Sequence, residues 1–452
     1  MLEQITCPAD LRRLSHDDLG LLSHEIRNFI VETVQENGGH LGSNLGVVEL
    51  TIALHRVFDS PRDIMLWDTG HQAYVHKMLT GRLENFKSLR KAGGLSGYPS
   101  RAESEHDWIE NSHASTALSY AFGIATAQAS DEGEGRRVLA VIGDGALTGG
   151  MAFEGLNNLG HAGSNAIIIL NDNGRSYAPT VSLLSDSLKK LRNNPKYLEQ
   201  QEKLENKVKS LLPSKEVMGL SVERAIDAAK AAVREIWDPT SFFEDLGLRY
   251  NGPFDGHNIE ALEKAFRNAA GFEGPTVIHV LTEKGRGYGP AENDPIKRLH
   301  DIGKPKPESY TAAFTEILIK EAENRSDLVA ITAAMPDSTG LLPFSERFPE
   351  RFFDVGIAEQ HATTAAAGMA MGGLRPVIAV YATFLNRAFD QINFDVALHN
   401  QPVIFCIDRA GITGPDGASH HGLLDMMLLS KVPGMTMFAP SSYQELQQMF
   451  SD

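Results

Sequence analysis

Apolar and polar positions fall along this chain in blocks that read in turn as strands and helices. Residues 138–142 (VLAVI) form a short apolar run with no helical period, ending abruptly in Gly143-Asp144-Gly145. Residues 166–170 (AIIIL) form a second, ending in Asn171-Asp172-Asn173. Between them, small and apolar residues recur every three to four positions over the length of a helix. Strand, helix and strand with short turns predict one βαβ unit, whose crossover makes the two strands parallel. Both strands then end on one edge of the sheet, the edge at which open α/β sheets bind ligands.

The same pattern continues on both sides. Residues 15–36 put Leu19, Leu22, Ile26, Ile30 and Val34 at helical spacing, with Ser15 as the N-cap. Residues 117–129, 222–237 and 259–269 read as helices, and Asp255-Gly256-His257 as a turn and cap before the last of these. Strands are expected at 64–67 and 276–281, then at 328–332, 377–381 and 402–407. The fold class is therefore α/β, with two doubly wound parallel-sheet domains over 1–303 and 310–452. Lys304-Pro305-Lys306-Pro307 begins an extended linker between them. Residues 176–215 are polar, charge-rich and broken by Pro195 and Pro213; they read as a helical surface insertion without a catalytic role.

Composition narrows the function classes. A chain of 452 residues is too long for one core. Its 42% hydrophobic and 22% charged content is that of a soluble globular protein. The formal charge of -16 argues against a nucleic-acid or membrane partner, which would need a basic face. Cys7 and Cys406 fit no disulfide or metal spacing, and the N-terminus lacks the apolar core of a signal peptide, so a cytoplasmic protein is expected. Any phosphorylated ligand must be held by local cations and backbone amides against this overall field.

Asp144 and Asn173, carried to neighbouring strand ends, each offer a hard oxygen. Two such side chains suit Mg²⁺, which fills its octahedron with phosphate oxygens and water. The glycines flanking Asp144 let backbone approach a ligand closely. Three histidines follow loops that lead into helices: His40 after Gly38-Gly39, His71 in WDTGHQAY, and His113 in SHAST. Each could also be a turn or core residue.

GDG followed by NDN after one βαβ unit resembles the thiamine-diphosphate signature. With GIAEQHA around Glu359 and GHQAYVHK around His71, the chain is similar over essentially its whole length to the 1-deoxy-D-xylulose-5-phosphate synthases, transketolase-like enzymes. NDNGRSYAPT resembles their actinobacterial branch. The resemblance implies thiamine diphosphate and Mg²⁺ as cofactors. The metal is expected at Asp144, Asn173 and Arg175. The cofactor is expected against His71, Ser112, His113, Ala114, Gly143, Asp144, Gly145, Ala146, Asn173, Lys284, Glu359 and Phe384. Where the family reads GHSS, this chain has Ser112 and Ala114 around His113, which removes expected diphosphate contacts.

Glu359 is implied to be the acid that activates the aminopyrimidine by proton sharing, although a glutamate at a helix start is also a plain cap. His40, His71 and His420 are the other implied catalytic residues, and His300 lies near the family's histidine beside the substrate. The substrate side is implied at His40, Tyr381, Arg387, Arg409, Asp416 and His420, with Arg409 as the phosphate fork. Phe384 and Lys284 have plain alternatives, in core packing and in a glycine-rich exit from the sheet.

The implied reaction joins pyruvate to D-glyceraldehyde 3-phosphate through a cofactor-bound enamine, with loss of CO2, in a homodimer. Two readings compete: a transketolase moving two-carbon units, and a cofactor-binding but inactive protein or half of a split assembly. The chain stops at Phe450-Ser451-Asp452 inside an expected helix, where the family is expected to complete this domain and add a third.

Overall fold

A computed structural model describes residues 1–129, 135–175, 216–217, 220–221, 241–302 and 309–451. The insertion expected at 176–215, the helix expected at 222–237 and most of the linker lie outside the described residues.

Among the described residues, the first half of the chain builds a five-stranded parallel sheet. Its strands are β1 (Ile64–Trp67), β2 (Val138–Gly143), β3 (Ala166–Asp172), β4 (Arg249–Asp255) and β5 (Thr276–Leu281), in the order β1-β2-β3-β5-β4. The absence of alternation in β2 and β3 follows from burial on both faces, as a helix-covered parallel sheet requires. Leu139, Val141, Ile167 and Ile169 pack against α1 (His16–Asn37), α2 (Val48–Val57) and α5 (Ile259–Ala270). On the opposite face, Ala140, Ile142, Ile168 and Leu170 pack against α3 (Ala117–Ala129) and α4 (Gly150–His161). The expected cap of α1 is present: Ser15 Oγ accepts the Asp18 amide at 3.2 Å, and Asp18 reaches back to the Ser15 amide.

β4 was not expected. Its sequence, RYNGPFD, has no apolar run, and the register shifts between Asn251 and Phe254 around Gly252-Pro253. A proline is tolerated there because β4 is an edge strand. The cap of α5 is also displaced by one residue: Asn258 accepts the Ala261 amide, whereas the His257 ring bonds to Glu49 and to the Glu283 amide.

A second parallel sheet holds β6 (Leu328–Thr332), β7 (Phe352–Asp354), β8 (Arg375–Tyr381) and β9 (Ile404–Asp408), in the order β9-β8-β6-β7. It is preceded by α6 (Tyr310–Asn324), capped by Ser309, and α7 (Glu359–Met371) follows β7. In the first sheet the chain steps one way through β1, β2 and β3 and returns from β4 to β5, so the order reverses between β3 and β5. In the second it reverses between β6 and β8. Such reversals open crevices at the carboxyl ends of strands. No helix among the described residues is long and apolar enough to cross a membrane.

Candidate active site

The carboxyl ends of both sheets line one cleft, which encloses about 910 Å³ with its open mouth included. Asp144, at the end of β2, is 4% exposed, and its Oδ1 accepts the Asn173 amide at 3.4 Å. The two residues are therefore neighbours, as the parallel pairing of β2 with β3 dictates. The rest of the NDN turn is structural. Asn171 joins Gln72 to Thr282, and Asp172 holds His279 and the Gly174 amide. Arg175 lines the cleft, but its guanidinium donates to the carbonyls of Pro295 and Ile296. Only its main-chain carbonyl could serve a cation.

Two of the histidine loops are tied together by a residue that the sequence left unnoticed. Buried Asn44 donates to the carbonyls of His40 and His71, both at 2.8 Å, and accepts the Tyr74 amide at 2.9 Å. The His40 and His71 rings consequently lie together, and His300, whose Nδ1 meets Ser43 Oγ at 3.2 Å, joins them with centroids 5.2–5.5 Å apart. Burial pushes the His71 imidazole down to about 3, and those of His40 and His300 well below the usual histidine range. Lys284, just past β5, lies 2.7 Å from His300 Nδ1. Its burial outweighs the pull of Asp144 and brings the ammonium down to about 7.

The SHAST loop is held by Asp68 at the end of β1. Its carboxylate accepts the amides of Ser115 at 2.9 Å and Ala117 at 3.0 Å, which anchors the start of α3. His113 then reaches the second sheet, where its Nε2 meets Thr383 Oγ1 and the Ser419 carbonyl, both at 3.0 Å. Its ring stands edge-on to Phe384, which stacks on Tyr381. Arg387 donates to the Ala114 carbonyl at 3.0 Å and pairs with Glu359 Oε2 at 3.6 Å. Glu359 opens α7, is 2% exposed and lines the cleft. Burial raises its carboxyl above the usual range against the opposing pull of Arg387.

Most of the residues singled out from the sequence line this cleft: His40, His71, Ser112, Ala114, Gly143, Gly145 and Ala146 from the first half, besides those already placed, then Phe384, Arg387 and His420 from the second. His113, Tyr381, Arg409 and Asp416 do not line it. The Asp416 carboxylate is paired with Arg90 at 2.8 Å. The Arg409 guanidinium lies over the Tyr381 ring, 4.4 Å from its centroid, and pairs with Asp408. Arg90, Tyr98, Gln72 and Asn44 were not found by sequence reasoning. Gln72 sits inside the WDTGHQAY motif but carried no separate signal there, and only the packing of distant loops gives the others a place here.

Comparisons with known proteins agree across the chain. The family model described as 1-deoxy-D-xylulose-5-phosphate synthase matches residues 2–282, and that of the transketolase pyrimidine-binding domain matches residues 306–452. The 1-deoxy-D-xylulose-5-phosphate synthase of Mycobacterium avium is 55% identical over 99% of this chain and 71% of its own length. That of Mycobacterium leprae is also 55% identical, with the same coverage. Among solved structures, a transketolase from Campylobacter jejuni aligns at TM-score 0.45 and 17% identity over 97% of this chain and 77% of that one. With a family model matching more than half its residues and relatives above half identity, the chain belongs to the 1-deoxy-D-xylulose-5-phosphate synthase family of transketolase-type transferases.

Proposed function

We propose that the chain carries the reaction of its family, the condensation of pyruvate with D-glyceraldehyde 3-phosphate to 1-deoxy-D-xylulose 5-phosphate and CO2, dependent on thiamine diphosphate and Mg²⁺. One observation carries the reading: Asp144 and Asn173 of the first sheet and Glu359 of the second line the same cleft. The lining fits such an occupant. Among the described residues, Nδ1 of His40 and of His71 and Nε2 of Gln72 are buried there without a hydrogen-bond partner, Glu359 Oε2 has only the 3.6 Å pairing with Arg387, and buried polar atoms demand partners. A Cβ on Gly143 would meet none of the described residues within 4 Å, which leaves the Asp144 turn open to a ligand on their side.

Asp144 and Asn173, with the Arg175 carbonyl, would hold Mg²⁺. Diphosphate oxygens and water would supply its other ligands. Lys284, Gly143, Gly145 and Ala146 would bind the diphosphate end, and Phe384, against which the His113 ring stands, would pack on the aminopyrimidine. When bound, thiamine diphosphate supplies a nucleophilic carbon and an electron sink for decarboxylation. Glu359, whose carboxyl burial raises above its ordinary range, would share a proton with the aminopyrimidine ring. His40 and His71 are neutral at physiological pH and can take or return a proton inside the cleft. Arg387 and His420 line the cleft and would stand on its substrate side, where the Arg387 guanidinium would offset carboxylate charge; Tyr381, Arg409 and Asp416, which do not line it, would frame that side from behind.

The two family models break between residues 282 and 306, which supports a diphosphate-binding unit over 1–303 and a pyrimidine-binding unit from 310. The formal charge of -16 favours small-molecule substrates over nucleic acid or an anionic membrane, and the family reading adds a cytoplasmic homodimer. The test measures CO2 release from pyruvate with and without D-glyceraldehyde 3-phosphate, beside ketol transfer from xylulose 5-phosphate. Release that depends on the aldehyde is expected. Faster ketol transfer would make the chain a transketolase, and tight cofactor binding without CO2 would make it an inactive binder.

A further inference from the structure

Tyr98 is given no part in the chemistry above, and Ser112 only the place beside the cofactor that the resemblance implies, yet their hydroxyls meet the same imidazole. Tyr98 Oη lies 3.3 Å from His420 Nε2, and Ser112 Oγ lies 3.1 Å from His420 Nδ1. The phenol ring also lies nearly parallel to the imidazole, with centroids 5.1 Å apart and planes 17° apart. The same phenol meets His40 edge-on at 5.6 Å. Both hydroxyl residues are buried, Tyr98 at 5% and Ser112 at 1% exposure, and both belong to the first half of the chain, whereas His420 belongs to the second.

Their loops have firm footings. The Ser96 amide donates to Glu103 and the Ser100 amide to Asp107, on either side of Tyr98. Asp107 is gripped in turn by both terminal nitrogens of Arg82 and by His76. Ser112 Oγ is bonded to Ser419 Oγ, the neighbour of His420 in sequence. A side chain whose supports are themselves locked can hold another group in one orientation.

We propose that Tyr98 and Ser112 are positioning residues that grip both ring nitrogens of His420 from across the cleft and fix its orientation and tautomer. A neutral imidazole has one donor and one acceptor nitrogen, and two hydroxyls can answer one of each. The burial that pushes His420 down to about 4 keeps the ring in that neutral form. The proposal rests on the reading that His420 faces the aldehyde acceptor. It adds that the acceptor meets a preset donor rather than a ring free to flip.

The test uses the full chain labelled with ¹⁵N-histidine, the His420 ring signals being those lost in His420→Gln. In the unsubstituted protein at neutral pH, one ring nitrogen is expected at a protonated and one at an unprotonated shift. Tyr98→Phe and Ser112→Ala should each draw the two shifts together, and Ser112→Thr, which keeps the hydroxyl, should restore them. In steady-state assays, Tyr98→Phe should raise KM for D-glyceraldehyde 3-phosphate about three- to tenfold, the weight of one hydrogen bond, with KM for pyruvate unchanged. Ring shifts that do not move in either variant, or an equal rise in both KM values, would overturn the positioning role. Full use of the aldehyde by His420→Gln would instead sink the assignment of His420, and the ring-shift result would still stand by itself.

Discussion

Thr148 Oγ1 accepts the amide of Ile357 at 2.8 Å, so a side chain four residues past Asp144 is bonded to the backbone two residues before Glu359. The same hydroxyl donates to the Gly145 carbonyl at 2.7 Å and so belongs to the GDG turn itself. Two glycines let the turns touch. A Cβ on Gly356, whose φ is +74°, would stand 2.8 Å from Thr148 Oγ1, and one on Gly149 would stand 3.0 Å from the Ile357 carbonyl. This joint ties the turn that carries Asp144 to the turn that carries Glu359.

Gly356→Ala should therefore loosen the joint. The positive φ alone costs about 1 kcal/mol in a residue with a side chain, and the added contact pushes the turns apart. Steady-state kinetics should show a fall in kcat of at least tenfold, because small misplacements of reacting groups are costly. Calorimetry should find Mg²⁺–diphosphate affinity changed much less, since Asp144 and Asn173 stay together.

Glu359→Gln keeps the size of the side chain and removes its proton. A general acid or base contributes about 10²–10⁴-fold, so kcat should fall within that range while thiamine diphosphate still binds. Titration of the cofactor by circular dichroism, run beside the CO2 assay, checks both halves. Unchanged kcat would return Glu359 to the role of a helix-start residue.

Asp144→Asn should weaken cofactor binding in a way that added Mg²⁺ partly reverses, because one of the two hard side-chain oxygens loses its charge. Isothermal titration at several Mg²⁺ concentrations reads this directly. A metal-independent Kd would move the cation elsewhere.

Lys284 sets a pH dependence. With its free ammonium at about 7, the residue is already charged below pH 7, and binding a diphosphate there needs no added proton. Above pH 7 a proton must be taken up on binding, so affinity should fall as pH rises, by up to about tenfold per unit, as linkage requires. Lys284→Arg stays charged throughout and should flatten Kd between pH 7 and 9.

Asn44→Ala removes the bridge between the His40 and His71 loops and leaves the buried Tyr74 amide without its partner. Loss of these bonds costs about 2–3 kcal/mol, visible as a lower denaturant midpoint at unchanged slope. Asn44→Asp keeps the acceptor for Tyr74 but sets a carboxyl oxygen against two carbonyl oxygens in a buried place, and should lower the midpoint at least as far.

The elements built from long apolar runs were legible in the chain. β2 and β3 were read within two residues of their ends, and α1 was read with its Ser15 cap, since burial on both faces or along one stripe leaves a local signature. β4 left none: its hydrogen bonds come from β5, and RYNGPFD by itself reads as a turn. The site divided along the same line. Asp144 and Asn173 were expected together because parallel pairing puts their strand ends side by side. The work of Asn44, Asp68 and Tyr98 was not, because the groups they hold are brought near by other parts of the chain.

Taken alone, the sequence determined the α/β class, the two parallel sheets and the residue types that can hold a metal-bound diphosphate or share a proton, because periodicity and turn chemistry are local. Only the tertiary structure decided that the two sheets open on one cleft, that Asp416 is spent on Arg90, and that His420 stands between two hydroxyls. Those contacts join residues more than 300 positions apart, 322 for Tyr98 and His420, and such pairs are set by how the loops pack.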